Sequence, residues 1–257
     1  MHNSRQNQIL EYLKLKKSAR VTEMADHFNV TNMTIRRDLT LLEKNGLVKR
    51  SHGGAVPVVN NNVEETNFST RSIKNLRQKQ AISQKAVSLI SDHTSIYIDG
   101  STTCSELVKL LPNNMRLTVF TDSVAALIEL RDRHEQISIF LIGGELAADN
   151  NTLDGYIAVN IIQKICVDMC FISCAGFTAE GITNAGLVGT SVKKIILKNS
   201  KRRILLADSS KYDSRYLYML SRWQDIDILI SDSGLDGTAR EKLEQQNINI
   251  LIADDEE

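Results

Sequence analysis

No apolar run in this 257-residue chain is long enough to cross a bilayer. The longest, such as residues 226–230, are interrupted within a few positions, whereas a membrane helix needs roughly 18–20 consecutive apolar residues. Met1-His2-Asn3-Ser4-Arg5 lacks the apolar core of a secretory signal. These absences predict a cytoplasmic protein with no membrane partner. Net charge is absent too, with 31 basic and 31 acidic residues, so any polyanion would have to be met by one part of the molecule. Of the four cysteines, Cys166, Cys170 and Cys174 are spaced four apart. They run through an apolar, strand-like segment with no histidine nearby, and zinc sites use closer cysteine pairs with further ligands. The spacing therefore predicts buried structural thiols, and no metal or cofactor is called for.

What charge there is falls unevenly. Residues 1–59 hold ten lysines and arginines against five acidic residues, a net +5 that leaves −5 for the remainder. A basic head on an acidic body suits a polyanionic partner for the head alone. The length allows a small domain followed by a large one.

Within the head, Ile9, Leu10 and Leu13 mark one face of a first helix over residues 5–16. A second helix follows Val21, with Thr22 as its expected N-cap and Met24, Ala25 and Phe28 as its apolar stripe. The short turn Asn29-Val30-Thr31 leads into a third helix over residues 32–44, where Ile35, Leu39 and Leu42 share a face. Asn45-Gly46 is its stop. Two short helices joined by a tight turn, the second rich in Asn, Thr and Arg, form a helix-turn-helix over about residues 20–39. Major-groove readout needs Arg for guanine, Asn for adenine and Thr for several edges. Thr22, Thr31, Asn32, Thr34, Arg36 and Arg37 are the candidates, with Asp38 expected to pair with an arginine. The competing reading of Arg36 and Arg37 is a solvated helix face. Residues 47–51 and 55–58 read as two strands around His52-Gly53-Gly54, whose glycines suit a tight hairpin. This wing would bring Arg50 and His52 to the DNA.

The spaced set Arg5, Ile9, Leu13, then Thr31-Asn32-Met33-Thr34-Ile35-Arg36-Arg37-Asp38-Leu39, with His52-Gly53-Gly54-Ala55 in the wing, resembles the N-terminal signature of the DeoR family of bacterial transcription regulators. This assigns residues 3–58 to a DeoR-type winged helix-turn-helix. Polar residues 59–75 read as a linker, and residues 76–257 as the second domain.

There, apolar runs at residues 95–98, 117–120, 137–142, 169–173, 203–207, 226–230 and 248–252 alternate with helical patterns. An α/β domain with a mostly parallel sheet follows. Ligands of such sheets bind beyond the carboxyl ends of the strands. Asp99-Gly100-Ser101-Thr102-Thr103 leads from a strand into a helix and offers hydroxyls and free N–H groups to a phosphate, although Ser and Thr are also ordinary helix caps. Thr121-Asp122, Gly143-Gly144 and Ala207-Asp208-Ser209-Ser210-Lys211 stand at other strand ends. Lys211 is the candidate cation for an anionic ligand; its plainer reading is an exposed loop lysine.

These loops at these intervals also resemble the DeoR C-terminal sensor domain, which is similar in fold to ribose-5-phosphate isomerase and glucosamine-6-phosphate deaminase. The resemblance implies a repressor of a carbohydrate operon, a phosphorylated sugar or related metabolite as effector, a double-stranded DNA operator, and a homodimer or homotetramer. Three segments depart from the family pattern: Asp122 stands where asparagine is common, Ala147-Ala148-Asp149 replaces a more basic stretch, and Ser173-Cys174-Ala175-Gly176 a more glycine-rich turn. An alternative is a sugar-phosphate isomerase or deaminase with an added DNA-binding domain. Asp99, Asp122, Glu145 and Asp208 are eligible bases for that chemistry, but their spacing does not reproduce the catalytic pattern. A purely architectural DNA binder would have no use for the polar loops.

Overall fold

A computed structural model describes residues 4–16, 18–44, 48–51, 53–57, 68–133, 135–147 and 151–254. The chain divides into two compact units, residues 1–74 and 75–257.

In the first unit, α1 (Ser4–Lys16), β1 (Ala19–Arg20), α2 (Val21–His27) and α3 (Asn32–Lys44) precede the hairpin β2 (Val48–Ser51) and β3 (Gly54–Pro57). Ile9, Leu13, Met24, Ile35, Leu39 and Leu42 are buried in one core, because the helical period puts each set on one side of its helix. Strand β1, too short to leave a sequence pattern, pairs with β3 to make a three-stranded sheet in the order β1-β3-β2. The two wing glycines serve different needs. Gly53 has a φ of +90° and makes the turn, whereas a Cβ on Gly54 would lie 2.5 Å from the Ala19 carbonyl oxygen, so β1 can approach only a glycine. Thr22 is not the α2 cap. Arg20 holds that position without a side-chain bond, and the Val21 amide donates to the Gly53 carbonyl at 2.9 Å, so the wing turn closes the helix end. His52, Asn45 and Gly46 lie outside the described residues, as do residues 59–67 of the expected linker. Its later part contains helix α4 (Phe68–Ile73).

The second unit runs α5 (Leu76–Val87), β4 (Ser95–Ile98), α6 (Thr102–Leu110), β5 (Leu117–Thr121), α7 (Val124–Leu130), β6 (Ile137–Leu141), β7 (Glu145–Leu146), β8 (Leu153–Asp154), α8 (Gly155–Ile162) and β9 (Val167–Ile172). It continues with β10 (Gly176–Thr178), β11 (Gly181–Asn184), α9 (Leu187–Lys198), β12 (Ser200–Leu206), β13 (Tyr218–Ser221), β14 (Ile228–Asp232), α10 (Gly237–Glu244) and β15 (Asn249–Ala253). Seven of these strands form one parallel sheet in the order β15-β14-β12-β9-β4-β5-β6. Its apolar residues point alternately to two cores. Helices α5, α6 and α7 cover one face, and α8, α9 and α10 the other. The three-stranded β10-β11-β13 sheet and the β7-β8 pair were not expected, since their strands are two to four residues long. Cys104, Cys170 and Cys174 are buried thiols, but Cys166 is exposed just before β9, which corrects the expectation for that residue.

Candidate nucleic-acid interface and effector site

Helix α3 is positioned by residues on its inner side. Asp38 is buried and accepts hydrogen bonds from Arg5 Nε at 2.7 Å and Gln6 Nε2 at 3.1 Å, so its expected arginine partner comes from α1 and ties α1 to α3. Thr31 caps α3: its hydroxyl accepts from the Thr34 amide at 3.3 Å and lies 2.9 Å from the Thr34 hydroxyl. On the outer side Asn32, Met33, Arg36 and Arg37 are exposed. Among the described residues neither Arg36 nor Arg37 makes a side-chain hydrogen bond or an ion pair, so both guanidinium groups are free for a ligand. Arg50 is partly engaged. Its Nη1 donates to the Thr40 hydroxyl at 2.9 Å and its amide to Glu43 Oε1 at 2.9 Å, which fastens the wing to α3.

In the second unit the strand order reverses between β4 and β9, because the chain proceeds from β4 to β5 and β6 on one side, then returns to β9 on the other. Loops leaving such a point diverge and open a crevice. Asp99 ends β4 there. Its carboxylate accepts from the Ser101 amide at 3.0 Å and the Ser173 amide at 2.8 Å, and forms a 2.7 Å ion pair with Lys193. Lys193 also donates to the Ser173 carbonyl at 2.8 Å. Burial alone would raise the Asp99 carboxyl, but the ammonium beside it holds it below the ordinary carboxylate range.

Asp122, at the end of β5, is in the opposite state. Burial, reinforced by the charge of Asp99, pushes its carboxyl up to about 7. Among the described residues neither its Oδ1 nor the nearby Tyr97 hydroxyl has a hydrogen-bond partner of good geometry. Two carboxylates thus lie near one lysine, and the second is poised between charged and neutral near physiological pH.

The remaining candidates divide between positioning and binding. The Ser101 hydroxyl caps α6 by accepting from the Cys104 amide at 3.2 Å, and Thr121 donates to the Ile98 carbonyl at 2.7 Å. Thr102 and Thr103 are buried in the first turn of α6. Gly100 is needed for space rather than for an unusual φ, since a Cβ there would run into Thr152. Gly143 and Gly144 have positive φ, and Gly144 packs on the Asp154 backbone, so this pair supports β8. Lys211 is no exposed loop lysine. It is half-buried and donates to the Ser173 hydroxyl at 2.9 Å and the Cys174 carbonyl at 2.8 Å. Asp208 accepts from Asn75 Nδ2 at 2.9 Å; burial opposes its charge, but Lys211 and its hydrogen bonds hold it below the ordinary range.

Sequence reasoning missed Lys193 and Asn75. The signal for Lys193 was present: Thr190, Lys193 and Leu197 share one side of α9, so a lysine sits among buried residues. Asn75 left none, because its role depends on a left-handed backbone (φ 53°) just before α5.

Residues 5–60 match the DeoR-like helix-turn-helix domain, and residues 74–233 match the DeoR C terminal sensor domain. The HTH-type transcriptional regulator GolR of Listeria innocua is 34% identical over 97% of this chain and 98% of its own. The HTH-type transcriptional repressor GlcR of Bacillus subtilis is 30% identical over 97% and 95%. Among solved structures, ribose 5-phosphate isomerase A of Methanocaldococcus jannaschii is similar at 17% identity and a TM-score of 0.39, over 54% of this chain and 55% of that one. With a matching helix-turn-helix, a matching sensor domain and full-length relatives, the chain belongs to the DeoR family of DNA-binding transcriptional regulators.

Proposed function

We propose that the chain represses a carbohydrate operon from the cytoplasm and that a phosphorylated sugar or related metabolite, bound at the β4–β9 switch point, sets its operator affinity. The observation that carries this reading is the convergence of Lys193 and Lys211 on the end of β9, beside the start of α6. Ammonium groups and a helix N-terminus together favour an anion. Asp99, Gly100, Ser101, Thr102 and Thr103 would shape the phosphate end, with Thr121, Asp122, Gly143 and Gly144 toward the sugar. On the DNA side, Asn32, Thr34, Arg36 and Arg37 would read bases, while Thr22, Arg50 and His52 meet the backbone. Thr31 positions α3 through its cap. In this assignment residues 3–58 bind DNA, 59–75 link, and 76–257 sense the effector and assemble a homodimer or homotetramer, as symmetric half-sites require.

The chain works by binding without turnover. This reading is supported by GolR and GlcR being named as regulators, and by Asp99 and Asp208, two of the four eligible bases, being engaged by lysines and hydrogen bonds.

Thermal denaturation with fructose 6-phosphate, glucitol 6-phosphate, ribose 5-phosphate and inorganic phosphate tests the effector assignment. A ligand at about 100 times its dissociation constant adds roughly 2.7 kcal/mol of stability. The same compound should change operator affinity by on the order of 5–150-fold. Stabilisation only by unphosphorylated sugars would contradict the assignment, and turnover of a sugar phosphate would revive the enzyme reading.

A further inference from the structure

Helix α8 is apolar on both sides. Ala158 and Ile162 pack into the core, yet Tyr156, Ile157 and Ile161 remain 81%, 59% and 39% exposed, and no charged residue falls between Gly155 and Ile162. A helix at the surface of a domain normally turns polar residues outward, and one that is apolar all round is covered all round.

The exposed side of α8 continues onto its neighbours. The Ile161 side chain lies close to Gly143, just beyond the end of β6. Phe140 on β6 is half exposed and stacks at 4.9 Å on Phe120, which packs into the same core as α8. Leu146 on β7 is 59% exposed. Strand β6 is also one edge of the seven-stranded sheet, where unpaired backbone groups can accept another strand.

Charge selects the occupant. Glu145 sits beside Gly155 at the start of α8, and Lys164 follows its end; both are exposed, and among the described residues neither forms an ion pair. An antiparallel copy of α8, related by a two-fold axis near Val159, would set Ile157 against Ile161 of the partner subunit. It would also bring Glu145 toward Lys164 of the partner subunit, with the helix dipoles opposed. A two-fold contact must be self-complementary in this way.

We propose that α8, extended by Leu146 and the β6 edge, is a two-fold interface between copies of this chain. The inference names the assembly face and rests on the homo-oligomer proposed above.

Light scattering on the full-length protein, coupled to gel filtration at micromolar concentration, tests it. Ile157→Glu with Ile161→Glu should halve the mass while circular dichroism and the melting transition persist, since both side chains face solvent. Glu145→Lys alone should weaken assembly, and adding Lys164→Glu should restore it. A wild-type oligomer unchanged by the double isoleucine variant overturns this interface but not the oligomer. A monomeric wild type overturns both. Halving without rescue by charge reversal overturns the antiparallel arrangement.

Discussion

Arg36 and Arg37 stand exposed on α3 without a side-chain partner among the described residues, whereas Lys193 and Lys211 are already engaged at the end of β9. The contrast follows from what each unit has to meet. A rigid helix face that enters a groove brings its donors ready-made and lets water occupy them until DNA arrives. A crevice inside a sheet must neutralise its charges when empty, because an unpaired buried charge is costly. Among the described residues Asp122 forms no ion pair, and burial, reinforced by the charge of Asp99, moves its proton equilibrium toward neutrality.

Removing a cation should therefore cost stability in one unit and only binding in the other. Lys193→Met leaves Asp99 and Asp122 facing each other and should destabilise the sensor unit by about 3–5 kcal/mol in urea denaturation, as breaking buried pairs does. A change below 1 kcal/mol would mean that the pair is dispensable.

Next comes Asp122→Asn. The carboxyl of Asp122 is raised to about 7 in the folded protein, against about 3.9 when unfolded. The folded state thus holds the proton more tightly, so this group favours folding most at low pH and loses that contribution as pH rises through 7. Asp122→Asn should gain on the wild type as pH rises, by on the order of 2–4 kcal/mol near pH 8, with the gap vanishing toward pH 4. Parallel stability–pH curves for the two proteins would contradict the assignment.

Arg36→Ala and Arg37→Ala should each weaken specific DNA binding by about 1–3 kcal/mol, or on the order of 5–150-fold, with stability unchanged. Fluorescence anisotropy and a melting curve separate the two effects. Smallest is Arg50→Ala, whose exposed contacts to Thr40 and Glu43 should carry less than about 1 kcal/mol of stability. A larger loss would show that the wing tie holds the first unit together.

The same contrast explains what could be read from the residues alone. The helix-turn-helix was legible because apolar periodicity fixes α2 and α3, and because base-reading side chains must project outward from a short stretch of chain. The parallel sheet was legible from its seven apolar runs. The crevice was only half legible. Its loops announced themselves as small polar residues at strand ends, but the Asp99–Lys193 pair joins residues 94 positions apart, and such a partner is fixed by topology. Hydroxyls at Ser101 and Thr121 turned out to be engaged in capping and strand-end bonds. Composition could not separate that use from ligand binding. The α2 cap was misplaced for a related reason: its acceptor is a backbone carbonyl of the wing, which no side-chain pattern records.

Selection of bound duplexes from a random DNA pool, run side by side with the wild type and the Arg36→Ala/Arg37→Ala protein, would probe α3 as the reader most directly. The wild type should enrich a motif with repeated half-sites, and the double variant should enrich none while remaining folded. Enrichment of the same motif by both proteins with equal affinity would show that α3 does not read the operator through these arginines.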